Sequence, residues 1–435
     1  MKLFKTIALG AVALALASVA SATTVKVTGS TAFRKALYVS IINQLATAPG
    51  KSLSDVKVAW FGNATMTSAA QMIASNGTDT VQACMAGSVG GVNWIVNGSN
   101  VATVAPFDPT YSAKTATAWL ATSNLPGSGN VTSIGSSPSW NVTLSTSVLS
   151  SPAWEAASPA DFTMSDSLQG STPFGASATG VTLVNAGSSN IGVVQFVFAK
   201  GQNGAIDSAA DARFTNMTAL GFRNLAATGY EQLSAFTGNS SDDGSYVLLV
   251  GRDSDSGTRL GTAYETAAGD VTTSLNQWKA YTSADADFGV TNTGSIAYVS
   301  AVSGQAGYAS GGQVKNVLNA AVTGSIELEK GSGTTLPFIF VGYVGTGDVP
   351  TNGTGRILSY NGVAQTATAT QNGQYTFWTH EQAYYKSTLA AGKKTIADGI
   401  ATGVKNTFAE ASGGVLEATM KADRAAEGAV VFRTL

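Results

Sequence analysis

Arg252 opens the stretch Arg252-Asp253-Ser254-Asp255-Ser256-Gly257-Thr258, which follows a continuous apolar run at 246–250 and precedes a helical pattern over 259–268. A helix N-terminus presents unpaired backbone N–H groups and the positive end of the helix dipole, a ready site for an anion. Arg252 lies four residues before Ser256, so its guanidinium reaches the space at which the Ser256 and Thr258 hydroxyls and the Gly257 amide point. A carboxylate from Asp253 or Asp255 paired with Arg252 would hold that fork in place. A second carboxylate of interest is Asp166, at the end of Ala160-Asp161-Phe162-Thr163-Met164-Ser165-Asp166. An Asp after a short strand is usually a cap or turn residue. In an anion site it makes sense only where the anion still carries a proton to give it.

Two more loops have the same character. Gly29-Ser30-Thr31-Ala32-Phe33 joins an alternating strand at 24–28 to an amphipathic helix running to about Leu45, and the segment 62–68, with Thr65 and Thr67, joins a strand at 56–61 to a helical pattern over 69–74. Strands alternating with helices through short loops argue for α/β layers with largely parallel sheets, whose ligands sit at the carboxyl ends of strands. Two turn-rich stretches, 85–158 and 328–375, read as insertions, the first with a hairpin over 92–104 turning at Asn97-Gly98. No fixed-period repeat points to a solenoid or propeller.

Composition removes other classes. With 44% hydrophobic and 9% aromatic residues the chain can bury a core, although only 11% of it is charged. A net charge of -2 provides no basic excess for nucleic acid or an anionic membrane. One Cys (Cys84) and one His (His380) exclude disulfide frameworks and Cys/His zinc sites. A Ser-His-Asp triad could use only His380, and no G-x-S-x-G sequence presents a serine to it, so neither catalysis, metal nor cofactor is expected. At the N-terminus, two lysines, an apolar run at 7–17 and Ala20-Ser21-Ala22 read as a signal peptide cleaved after Ala22, which predicts a secreted, periplasmic product; a monomer is expected.

The loops 29–33, 161–166 and 252–258, in that order, resemble the three ligand loops of the periplasmic phosphate-binding proteins that feed ABC-type importers. Gly304-Gln305-Ala306-Gly307-Tyr308-Ala309 resembles that family's Gly-x-x-Gly-Tyr segment, and 372–378 resembles the stretch where the chain returns to the first lobe. The resemblance implies a type II solute-binding fold: two α/β lobes, each a mixed sheet flanked by helices, joined by two crossings and closing over a ligand in the cleft. Lobe 1 would comprise 23–190 and 376–435, lobe 2 would comprise 191–375, and 191–197 would be the first crossing. It also implies that Thr31, Ala32 and Phe33 donate from the first helix terminus, that Asp166 accepts the proton of hydrogen phosphate, that Arg252 supplies the ion pair, and that Ser256, Gly257 and Thr258 donate from the third. The family usually places a Ser in a Gly-rich run in the second loop; here Thr65 is favoured over Thr67. Phosphate and an importer's membrane subunits are then the expected partners, with arsenate an alternative ligand. The rival reading is a low-charge, β-rich cell-surface structural or adhesive protein, for which low charge and turn-rich inserts also speak.

Overall fold

The computed structural model describes residues 22–61, 71–98, 120–121, 159–201, 206–270, 272–302, 304–320, 322, 326–351 and 356–434. The expected signal peptide, Thr65, Thr67 and most of the 85–158 stretch lie outside them. No helix among the described residues is long and apolar enough to cross a membrane.

The chain begins with strand β1 (Thr24–Gly29) and helix α1 (Arg34–Ala46), then strands β2 (Lys57–Phe61), β3 (Gln71–Ser75) and β4 (Thr80–Cys84), helix α2 (Ser88–Asn97) and strand β5 (Phe162–Ser165). Next come β6 (Gly192–Lys200), β7 (Tyr230–Gln232), β8 (Tyr246–Val250), α3 (Gly257–Thr266), β9 (Gln277–Tyr281), β10 (Tyr298–Val302), α4 (Gly311–Asn319), β11 (Phe338–Gly345), β12 (Trp378–Lys386) and α5 (Ala391–Gly403). Of these strands, all but β9 and β10 share one mixed sheet in the order β7-β8-β11-β6-β12-β5-β1-β4-β3-β2. The fold is therefore α/β, with helices against a mixed sheet.

Within this sheet, among the described residues, parallel pairing is confined to two places, β5-β1-β4 and β8-β11. They are the strands that end at the candidate loops. The long strands β6 and β12 join them: the first half of β12 pairs antiparallel with β6 (Trp378 opposite Gln195) and its second half with β5 (Gln382 opposite Ser165). The far end of β6 pairs with β11. Both joining strands are buried almost throughout; β6 is mostly apolar on both faces, whereas β12 carries Thr379, His380, Glu381 and Gln382 into the interior. The expectation of largely parallel sheets thus gives way to a mixed one, because two antiparallel strands carry the chain between the wings.

Four local readings are corrected. Residues 71–75 are strand β3, not helix, held between β2 and β4. Residues 88–97 are helix α2, not one arm of a hairpin; Asn97-Gly98 ends the helix, with Gly98 at φ 62° donating its N–H to Trp94 O. The stretch 328–375 is no insertion, since its middle is β11, buried at every residue. Helix α1 is hardly amphipathic. It buries residues on most of its faces, including Leu37, Tyr38, Val39, Ile41 and Ile42, and packs against α5.

Candidate functional site

Three helix N-termini meet where β1, β4 and β8 end. After β1 the chain turns at Gly29 (φ 114°), where a Cβ would collide with Met164 O, so only glycine fits. The Ser30 hydroxyl accepts from Phe33 N at 3.3 Å, and Phe33, with no solvent exposure, caps α1 by accepting from Leu37 N. Its ring fills the space beside Gly192 and Gly414. Ala32 lies against Gly345 at the end of β11.

After β8, the loop 251–256 leads into α3. The Ser256 hydroxyl accepts from Arg259 N at 3.2 Å, and the first intrahelical bond runs from Leu260 N to Ser256 O. The amides of Gly257 and Thr258 precede that bond, at the positive end of the helix. Ser256, Thr258 and Arg252 are all buried, and Thr258 Oγ1 stands 3.5 Å from Asp166 Oδ2.

Arg252 is held, but not by the carboxylates expected. Its Nε donates to Tyr308 O at 3.0 Å and its Nη2 to Ala309 O at 2.9 Å; Nη2 also approaches Thr31 Oγ1 at 3.4 Å. Neither Asp253 nor Asp255 forms an ion pair with it among the described residues. The segment 304–309 thus supplies backbone acceptors, and Gly307 packs so closely on Arg252 that a Cβ would collide with its main chain. The Arg252 amide donates to the Tyr343 hydroxyl at 3.1 Å, while its carbonyl accepts from Arg259 Nη1 at 2.9 Å and from Gln277 Nε2 at 3.1 Å. One edge of the guanidinium is thus anchored on neutral carbonyls. Among the described residues Nη1 has no protein acceptor.

Asp166 lies opposite. It is 1% exposed, its Oδ1 has no hydrogen-bond partner among the described residues, and a Cβ on Gly257 would collide with that same oxygen. Burial pushes its carboxyl up to about 6, while the Ser88 hydroxyl and Arg252 pull the other way and Glu427 adds to the rise. Asp253, mostly buried beside Arg252, is also raised by burial. A buried Asp166 carboxylate set opposite the anchored Arg252 is hostile to a fully charged anion. It suits one that brings a proton.

A further helix N-terminus, that of α2, reaches the same place. Ser88, at the N-terminus of α2, accepts from Asp166 N at 3.2 Å, and the amides of Val89 and Gly90 donate to Asp255 O at 3.0 and 3.2 Å. The run Gly87-Ser88-Val89-Gly90-Gly91 permits this approach: side chains on Gly87 or Gly90 would run into Asp255, and one on Gly91 into Gly29 and Thr163. Thr31, Asp166, Arg252 and Thr258 are therefore brought together, with Ser88 beside them; Thr65 lies outside the described residues. The signal for Ser88 was present in the sequence as a Ser in a Gly-rich run directly after a strand.

His380 takes no part in the cleft. It is buried between Glu417 (Nδ1 to Oε2, 3.2 Å) and Asp423 (Nε2 to Oδ1, 2.9 Å). Burial pulls its pKa down, but the two carboxylates more than offset this and the net change is upward.

No protein-family profile and no curated protein matches the sequence. Among solved structures, the chain is similar to an ABC-type phosphate transport receptor from Vibrio cholerae, at TM-score 0.43 and 12% identity over 90% of this chain and 99% of that one. It is also similar to a putative phosphate ABC transporter substrate-binding protein with bound phosphate from Clostridium perfringens (TM-score 0.37, 11% identity, 87% and 92% covered). A third is PstS from Borrelia burgdorferi (TM-score 0.35, 13% identity, 90% and 98% covered).

Proposed function

We propose that this protein binds inorganic phosphate, a protonated tetrahedral oxyanion, in the cleft between the N-termini of α1, α2 and α3, and delivers it to an ABC importer. The observation that carries this reading is the buried Asp166 carboxyl, with an unpartnered oxygen facing the α3 terminus and Arg252 nearby. A bound hydrogen phosphate would donate its proton to Asp166 and accept from Arg252, from the Gly257 and Thr258 amides, from Ala32 and Phe33 at the α1 terminus, and from the Thr31, Ser256 and Thr258 hydroxyls. Ser88 takes the second-loop role first given to Thr65. Sulfate has no proton for Asp166 at neutral pH and would desolvate two like charges against each other, at a cost exceeding a missing hydrogen bond.

In this reading residues 23–190 with 376–435 form one lobe and 191–375 the other. β6 and β12 are the crossings about which they close. The protein is exported by its N-terminal segment, cleaved after Ala22, and works in the periplasm as a binder, not an enzyme. Calorimetric titration of ligand-stripped protein tests this: phosphate should bind at a single site with micromolar or tighter affinity, and absence of a binding isotherm overturns the reading.

A further inference from the structure

Glu381 sits on β12, where no sequence motif drew attention to it. Its side chain has no solvent exposure, and neither carboxylate oxygen has a hydrogen-bond partner of normal geometry among the described residues. An unpaired buried carboxylate would cost several kcal/mol, so such a group persists only neutral or with a ligand. Strand alternation puts Glu381 on the same face of β12 as Thr379 and opposite to His380, which turns away to Glu417 and Asp423. Thr379 meets Gly261 of α3 on that face, and its hydroxyl is likewise buried without a partner. Next to Glu381 in the strand, Gln382 pairs in register with Ser165, the residue before Asp166.

The groups facing Glu381 come from several elements. The β5 end brings Asp166, whose charge acts on Glu381, and the first loop brings the Ser30 hydroxyl, the one group that acts on it as a donor. Its own strand brings Thr379 on the same face, while the Tyr384 hydroxyl, from the other face, feels its charge. In register opposite it on β6 is Gly192, against which Phe33 packs. α3 meets this floor with two glycines, Gly257 against Asp166 and Ser167, and Gly261 against Thr379. Among the described residues no basic side chain pairs with Glu381. Burial, then Asp166, raises its carboxyl well above the ordinary range.

We propose that Glu381 is a specificity-determining residue of the anion cleft: it holds a proton beside Asp166, so that the two carboxyls carry one negative charge and the cleft admits a protonated oxyanion. The proposal rests on the phosphate reading above. With Glu381 neutral, Asp166 can accept the ligand's proton while Arg252 balances its charge. With Glu381 ionised, a second buried negative charge lies against the same anion and repels it.

The test is the pH dependence of phosphate affinity for wild type and Glu381→Gln, titrated in parallel from pH 6 to 10 so that the ligand's own ionisation is common to both. Gln mimics the neutral acid. Wild-type affinity should fall roughly tenfold per pH unit once Glu381 ionises, while Glu381→Gln matches wild type at pH 6 and lacks that fall. Parallel curves for the two proteins overturn the proposal while leaving phosphate binding standing. Absence of phosphate binding by both proteins at every pH overturns the phosphate reading and this proposal with it. Urea unfolding of the ligand-free proteins keeps the comparison sound: Glu381→Gln should be folded and should gain stability over wild type as pH rises. A folded variant with no such gain shows Glu381 already ionised and refutes the proposal.

Discussion

Replacing Asp166 by Asn should stabilise the ligand-free protein at neutral pH while eroding its choice of ligand. The buried carboxyl is raised from 3.8 to about 6, an interval worth about 3 kcal/mol. A folded-state value above the unfolded one means that the stability contribution is complete below pH ~3.8 and is lost as pH rises through about 6. Asn cannot ionise and escapes the loss. The stability difference between Asp166→Asn and wild type, measured by urea unfolding without ligand, should therefore move in the variant's favour by up to about 3 kcal/mol between pH 3.5 and pH 8. In ligand binding the sign reverses. Asn offers an N–H that a sulfate oxygen accepts and removes the repelling charge, so the phosphate-to-sulfate preference should fall by at least roughly tenfold, the equivalent of about 1.4 kcal/mol. Competition calorimetry at pH 7 reads it. A stability difference independent of pH, together with an unchanged preference, would refute the assignment of Asp166 as the proton acceptor.

Other substitutions read separate parts of the cleft. Gly257→Ala should abolish phosphate binding in calorimetry, because its Cβ would collide with Asp166 Oδ1 and crowd Ser167 Oγ at 2.7 Å. Arg252→Lys keeps the charge but cannot span the Tyr308 and Ala309 carbonyls while reaching the ligand, and should weaken phosphate by roughly one to two orders of magnitude, consistent with the ~1.5 to 3 kcal/mol of a charge-assisted hydrogen bond. Ser88→Ala removes the acceptor for Asp166 N and should cost about 1 kcal/mol in unfolding free energy, with a matching few-fold loss of affinity. His380 has a raised pKa, so its tie to Glu417 and Asp423 stabilises fully below pH ~6.5 and is lost as pH rises through its folded value; His380→Gln should remove that pH dependence from the unfolding curve.

The third loop and Asp166 were legible because each is a local string whose residue types state their chemistry. What holds Arg252 was not, because carbonyls of Tyr308 and Ala309 leave no side-chain signature; the adjacent Asp253 and Asp255 invited an ion pair that the backbone acceptors replace. Ser88 was overlooked for a different reason. Gly, Ser and Asn in 85–98 read equally as a turn-rich insert, and Asn97-Gly98 serves as readily for a helix stop as for a hairpin turn. Strand β11 shows the same ambiguity: its run Phe338-Ile339-Phe340-Val341 is core, but the Gly/Ser/Thr-rich flanks dominate the window. Glu381 could not have been found from sequence at all, since a lone Glu on a strand has meaning only through burial and the approach of Asp166, which depend on the pairing of β12 with both β5 and β6.

The central claim is that the cleft recognises an oxyanion by its proton. It is tested most directly by titrating ligand-stripped wild-type protein with phosphate at pH 7 in the presence and absence of a large excess of sulfate. The account predicts one phosphate site of essentially unchanged affinity in both titrations, because sulfate meets the buried Asp166 charge with no proton to offer. Competitive loss of phosphate binding in sulfate, at ordinary oxyanion affinities, would contradict it.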